Sequence, residues 1–276
     1  MSIQDTGIYR KDKKEQYYTN DDTAKQCVDI ILKRIPEYQK YIWVEPSAGN
    51  GVFLKYVPPG VKSVGLDIDP KHEKIQAHDY SKWNPDIKTP IIVFGNPPFG
   101  RQSSLAKSFI RHSCIFSEAV AFILPRSFQK PSMNSCFPPN FHNIHSSSIP
   151  DNSFLVNSKV YNVPCVFQIW KKMPSPRYKE PKVLPYKYSY VSQDSDYSFA
   201  IRRVGGRAGS CILPGTRHSN QTHRFIKLEP DITMYTEQII EKLNGHTFPS
   251  NTVGPRSIST QEINTVINST IKSITN

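Results

Sequence analysis

Four short stretches of the chain are chemically distinctive: EPSAGNGVFL (45–54), GLDID (65–69), AHDY (77–80) and NPPF (96–99). In the first, Gly49 and Gly51 let the backbone approach a ligand closely at the start of a helix. A dinucleotide fingerprint would place a third glycine at position 54, where this chain has Leu54. In the second, Asp67 can accept hydrogen bonds from both ribose hydroxyls of an adenosine-containing ligand. In the third, Asp79 either accepts an adenine amino group or caps a helix. In the fourth, two prolines end a β-branched run and stiffen a loop that presents Asn96 and Phe99 outward.

Strand-like runs precede all four. YIWVE (41–45), VKSVGLD (61–67), a short EKIQAHD (73–79) ending at Asp79, PIIVFG (90–95), AVAFILP (119–125) and VPCVFQIWKK (163–172) read as strands. NDDTAKQCVDIILKRI (20–35) and SSLAKSFIRHSCIF (103–116) read as helices, the latter with Leu105, Phe109 and Phe116 along one stripe; GNGVFLKYV (49–57) turns into another. This alternation predicts an α/β fold, a mostly parallel sheet with helices on both faces. The four stretches then gather beyond the strands' carboxyl ends, where such sheets bind ligands.

After Trp170 the texture changes. KKMPSPRYKEPKVLPYKY (171–188) reads as a linker or a wrapping segment. Short β-like pieces follow around GGRAG (205–209), and two helices end the chain. The expected organisation is a domain over 1–172 and a smaller basic extension over 173–276.

The net charge is +12, spread along the chain, which favours a polyanionic partner. One basic run stands out: Arg202, Arg203, Arg207, Arg217, Arg224 and Lys227 with no intervening acid. Five widely spaced cysteines form no CxxC pair, and His142 and His145 have no accompanying ligand set, so neither a disulfide framework nor a metal site is expected. Without an apolar signal-peptide core in MSIQDTGIYRKDKKEQ or an apolar run long enough to span a bilayer, the expectation is an intracellular, cytoplasmic or nuclear protein that is not secreted.

In order and spacing, the four stretches resemble class I S-adenosylmethionine-dependent methyltransferases, specifically those that methylate the N6 amino group of nucleic-acid adenine. The resemblance covers about residues 15–172. NPPF matches the family's catalytic Asn/Asp-Pro-Pro-aromatic motif, EPSAGNGVFL its glycine loop and LDIDP its acidic strand end. The upstream EQYYT is similar to an FYT element found before the first helix of many DNA adenine methyltransferases, which helps hold the cofactor's methionine end.

The resemblance implies a Rossmann-like methyltransferase fold, S-adenosyl-L-methionine as cofactor and nucleic acid as partner, with DNA favoured over RNA. It implies cofactor-binding roles for Tyr18, Thr19, Glu45, Gly49, Gly51, Asp67, Asp79 and Asn96, and catalytic roles for Asn96, Pro97, Pro98 and Phe99. An exocyclic amine is a poor nucleophile because its lone pair is delocalised into the ring. The Asn96 side-chain oxygen and the Pro97 carbonyl, each taking one N–H, would pyramidalise it, and prolines set those acceptors in advance. Phe99 would stack on a base flipped out or unpaired. Arg202, Arg203 and Arg207 would engage phosphates. A protein-glutamine methyltransferase with a related Asn-Pro-Pro-Tyr loop, or an inactive cofactor-binding subunit, are the competing readings; the intact NPPF stands against the second.

Overall fold

The computed structural model describes residues 17–86, 88–156, 159–179, 181–215, 217–249 and 256–275. The amino-terminal stretch read above as lacking a signal-peptide core lies outside them. The chain divides into two compact units, one ending at Tyr178 and the other beginning at Lys179.

The first unit is built on seven strands. Their spatial order is β4 (Ile75–Ala77), β3 (Ser63–Asp67), β2 (Ile42–Glu45), β5 (Ile91–Gly95), β6 (Ala119–Pro125), β10 (Cys165–Lys172) and β7 (Phe141–Ser148). The first five are parallel, and β10 runs antiparallel to both neighbours. From β2 the chain moves outward to β3 on one side and later to β5 on the other. The crevice between the carboxyl ends of β2 and β5 is therefore the switch point where such a sheet binds ligands. A small antiparallel sheet of β1 (Tyr18–Thr19), β8 (Phe154–Val156) and β9 (Lys159–Tyr161) draws the start of the described chain toward that crevice.

Every residue of β5 is buried, as expected of a central strand covered on both faces. Helix α1 (Asp21–Arg34) packs with Trp43, Ile92 and Phe94 on one face; α2 (Ser104–Phe116) packs with Val44, Ile91 and Val93 on the other. Asn20 caps α1 by accepting the Thr23 N–H at 2.8 Å. This is the doubly wound, Rossmann-like arrangement expected.

Four local readings are corrected. The helix expected after the glycine loop is only a 3₁₀ turn, Leu54–Tyr56, because Pro58 and Pro59 forbid its extension and hold Val57 extended. The third strand stops at Ala77, and Asp79 instead starts a 3₁₀ turn, Tyr80–Lys82. Leu105 lies off the buried stripe of α2, which runs through Ala106, Ile110, Ser113 and Cys114. The boundary expected after residue 172 falls six residues later. Arg177 explains the shift: its guanidinium donates to the Asn134, Phe137, Pro138 and Phe141 carbonyls and lies 5.0 Å over the Trp170 ring. Residues 173–178 thus wrap the first unit.

The second unit carries a four-stranded antiparallel sheet in the order β11 (Tyr188–Val191), β14 (His223–Leu228), β12 (Phe199–Arg202), β13 (Cys211–Ile212). Helices α3 (Thr236–Gly245) and α4 (Thr260–Thr275) bury Ile239, Leu243, Ile263, Ile267 and Ile271 against Phe199, Ile201 and Ile226. Among the described residues no helix is long and apolar enough to cross a membrane. The five cysteines are buried and unpaired, and His142 and His145 bond to the Ser175 carbonyl and Ser147 hydroxyl.

Candidate active site

At the switch point lies a cavity of about 470 Å³, lined by segments 17–19, 45–50, 67–69, 78–80 and 96–99, with Val52, Phe53, Leu105 and Phe109. All four distinctive stretches and the upstream Tyr-Tyr-Thr contribute to one wall or another. Of the sequence-derived residues, Tyr18, Thr19, Glu45, Gly49, Asp67, Asp79 and Asn96 to Phe99 line it; Gly51 shapes the loop behind it with φ +80°.

The glycine loop is bound to the next strand end by a carboxylate. Asp67 Oδ2 accepts the Gly49 N–H at 2.7 Å, while Oδ1 accepts the Asp69 N–H at 2.8 Å. A carboxylate has about four acceptor positions, so two remain for ligand hydroxyls. Gly49 has φ +51°, and a Cβ there would lie 3.2 Å from Tyr18 Cε1. The close approach joins the Tyr-Tyr-Thr element to the loop. Asp79 also serves its own turn: Oδ1 accepts from the Ser81 N–H at 3.0 Å and hydroxyl at 2.7 Å, which lowers its pKa. Asp79 thus lines the cavity and caps its own turn at once.

Glu45 is 1% exposed at the end of β2. Burial pushes its carboxyl well above the usual carboxylate range; the Leu54 N–H opposes this and the nearby Asp67 adds to it. Oε2 is buried without a hydrogen-bond partner. Gly95, with φ +123°, leaves room for it, since a Cβ there would lie 3.1 Å from Glu45 Cγ.

Asn96 is held from behind. Its Nδ2 donates to the Tyr17 carbonyl and to Thr19 Oγ1, each at 3.2 Å. A carbonyl only accepts, so this contact sets the amide's orientation and leaves Oδ1 on the other side. Oδ1 is buried and has no partner. The Asn96 carbonyl is occupied by the Ser47 hydroxyl at 3.0 Å, tying the two loops together. The Phe99 carbonyl accepts from the Leu105 and Ala106 N–H groups at 3.2 and 3.3 Å, serving the otherwise uncapped start of α2. Gly100 makes this possible: φ is +68°, and a Cβ would lie 2.9 Å from the Leu105 nitrogen. The Phe99 ring faces Tyr17, with centroids 6.5 Å apart and planes 21° from parallel.

Sequence reasoning missed three residues here. Ile68, between two aspartates, is 79% exposed although apolar and lines the cavity; that mismatch of polarity and exposure is visible only in three dimensions. Tyr17 belongs to the quoted element but was given no role. Ser47 lies within the quoted glycine loop, but no individual role was read for it.

The arginines expected to engage phosphates belong to the second unit and differ among themselves. Arg202 Nε donates to the Val204 carbonyl at 3.0 Å, within its own turn. Arg203 is half-buried with an unpartnered Nε, and Arg207 is exposed.

No family model matches the chain. It is 28% identical over 263 residues to the type II methyltransferase M.CvrRI of Paramecium bursaria Chlorella virus XZ-6E, covering 82% of this chain. The match spans 65% of that relative's length. Among solved structures it is similar to a candidate RNA methyltransferase, PH1948 from Pyrococcus horikoshii (TM-score 0.47, 18% identity, 60% of this chain and 91% of the other). It is also similar to a candidate class I S-adenosylmethionine-dependent methyltransferase from Listeria monocytogenes (TM-score 0.44, 16% identity, 62% of this chain and 65% of the other).

Proposed function

We propose that the chain is an S-adenosylmethionine-dependent methyltransferase that acts on the N6 amino group of adenine in nucleic acid, DNA in preference to RNA. One observation carries this reading: Asn96 lines the cavity, and its amide is anchored by its nitrogen while its oxygen is buried and unpartnered. A buried acceptor without a donor costs about 1–3 kcal/mol, and a substrate N–H at this position relieves that cost. Similarity to a type II methyltransferase supports methyl transfer as the reaction class.

The cavity fits the cofactor chemically. Asp67 has acceptor positions free for ribose hydroxyls, Ile68 offers an apolar face for adenine, and the Gly49 turn leaves backbone space that a side chain would fill. When bound, S-adenosylmethionine would be held by Asp67, Ile68 and the Gly49 turn and would supply an electrophilic methyl group for the N6 amine. Asn96 Oδ1 and the Pro97 carbonyl accept the two amine hydrogens and turn the lone pair toward that methyl. Phe99 stacks on the base, worth about 1–3 kcal/mol.

The test is transfer of labelled methyl to separate DNA, RNA and protein pools, followed by nucleoside analysis. N6-methyladenine in nucleic acid is the expected product. Label confined to protein glutamine would replace this reading, and Asn96→Ala retaining full turnover would refute the clamp.

A further inference from the structure

The antiparallel register of the second unit brings two arginines to one face. Arg224 on β14 pairs with Ile201 on β12, and Arg203 lies two residues beyond Ile201. Since strand side chains alternate, Ile201 and Arg224 share a face, and the Arg203 N–H, donating to the Thr222 carbonyl at 2.7 Å, extends the ladder one residue past β12 and puts Arg203 on that face as well. Tyr190 pairs with Ile226, two residues from Arg224, and falls on the same face. Ile201 and Ile226 are fully buried beneath the helices, so the arginines mark the end of the apolar packing.

Neither guanidinium is neutralised. Among the described residues, neither Arg203 nor Arg224 takes part in an ion pair, and several acids of the same unit are engaged elsewhere. Asp194 faces Arg217, Asp196 faces Lys227, Asp231 faces Lys187, and Glu262 accepts the Ser259 N–H. Arg203 Nε is buried without an acceptor, and among the described residues Arg224 reaches only the Asn220 carbonyl, at 3.4 Å. Burial, and then the adjoining Arg224 charge, lower the Arg203 pKa. Two like charges held together in a partly desolvated place gain most when an anion arrives between them. A concavity of about 300 Å³, walled by Tyr190, Ser192, Asn220, His223 and Arg224 among others, opens beside Arg224.

We infer that Arg203 and Arg224 form a binding site for a backbone phosphate of the nucleic-acid strand. This rests on the nucleic-acid reading above and revises the expectation drawn from the basic run. Arg202 is spent on its own turn, with its guanidinium so near Gly205 that a Cβ there would meet it at 3.3 Å. Arg207 is exposed beyond the sheet. The planar guanidinium forks suit phosphate oxygens, which accept two parallel hydrogen bonds.

The experiment is fluorescence anisotropy of labelled single-stranded and duplex oligonucleotides with the full chain, across a salt series. Arg203→Gln/Arg224→Gln is expected to bind at least tenfold more weakly, about equally across sequences, with a salt slope lower by about one. Lys227→Gln is expected to change affinity less than twofold, and calorimetric affinity for S-adenosylmethionine is expected to stay unchanged in both. If the double variant melts early, Arg224→Gln alone, matched in melting temperature, is expected to lose at least threefold. Unchanged affinity in the folded variants, or a loss confined to Arg202→Gln/Arg207→Gln, would overturn the inference while methyl transfer to nucleic acid leaves the parent reading standing. Competition by inorganic phosphate without any effect of the substitutions on oligonucleotide affinity would likewise overturn it. A wild-type chain that binds no oligonucleotide and labels none would fail both.

Discussion

The side-chain nitrogen of Asn96 donates to Thr19 Oγ1 at 3.2 Å, across 77 residues of sequence. The strand pair that places Thr19 is the small sheet formed with Phe154 and Leu155. Through it, the Tyr-Tyr-Thr element acts on the amide's orientation as well as lining the cavity. Thr19→Val keeps the volume and removes the acceptor, leaving only the Tyr17 carbonyl to hold Asn96. We expect kcat to fall about tenfold, near 1.4 kcal/mol, with the protein still folded. Single-turnover kinetics on an adenine-containing substrate would measure this. A rate equal to wild type would show that Tyr17 alone suffices.

Asp67 is predicted to act twice, on the ligand and on its loop. Asp67→Ala should weaken S-adenosylmethionine binding at least tenfold, about 1.4 kcal/mol. Because the Gly49 and Asp69 N–H groups lose their shared acceptor, the melting temperature should also drop in the absence of cofactor. Calorimetry and a thermal melt separate the two effects. Unchanged affinity in a folded variant would remove Asp67 from the cofactor's contacts.

Glu45 predicts a pH dependence of stability. Its folded pKa is raised by burial, so between the unfolded value and that raised value the folded state binds more protons than the unfolded state. Its contribution to stability is therefore fully present below the unfolded pKa, about 4.5, and is lost progressively as pH rises through that window. Slope is bounded by about 1.4 kcal/mol per pH unit. Glu45→Gln should flatten the fall in melting temperature as pH rises above about 4.5. An identical pH profile in the variant would mean that Glu45 ionises normally.

Arg177→Ala should destabilise the first unit by about 3 kcal/mol, since four carbonyls around residues 134–141 lose a charged donor. Urea unfolding followed by tryptophan fluorescence would report it, because the guanidinium lies over the Trp170 ring. A shift below 0.5 kcal/mol would place those carbonyls in water instead.

Local chemistry made much of the fold legible in sequence. The β-branched and aromatic run of 42–44, the β-branched run of 91–93, the Asn20 cap and the prolines after Asn96 act on their own neighbours, so their strands, helix start and stiff loop could be read without the rest of the chain. The acid at the end of β3 and the glycines after β2 were readable for the same reason. Where a local rule competed with another, the reading failed: the glycine loop promises a helix, and Pro58 and Pro59 cut it to one 3₁₀ turn.

Long-range pairing was beyond the sequence. Nothing in SFLV announces that it will pair with Tyr18 and Thr19, because an isolated two-residue strand has no periodicity to detect. Yet that pairing supplies the Thr19 acceptor behind Asn96 and brings the Tyr17 ring opposite Phe99. The basic run shows the same division. Its composition announced a cationic surface; register alone decided that Arg203 and Arg224 share a face while Arg202 turns to its own backbone. Side-chain type is a property of each residue, and the sequence determined it. Which oxygen is left without a donor, and which charge without a counterion, depends on partners brought from elsewhere in the chain, and only the tertiary structure decided that.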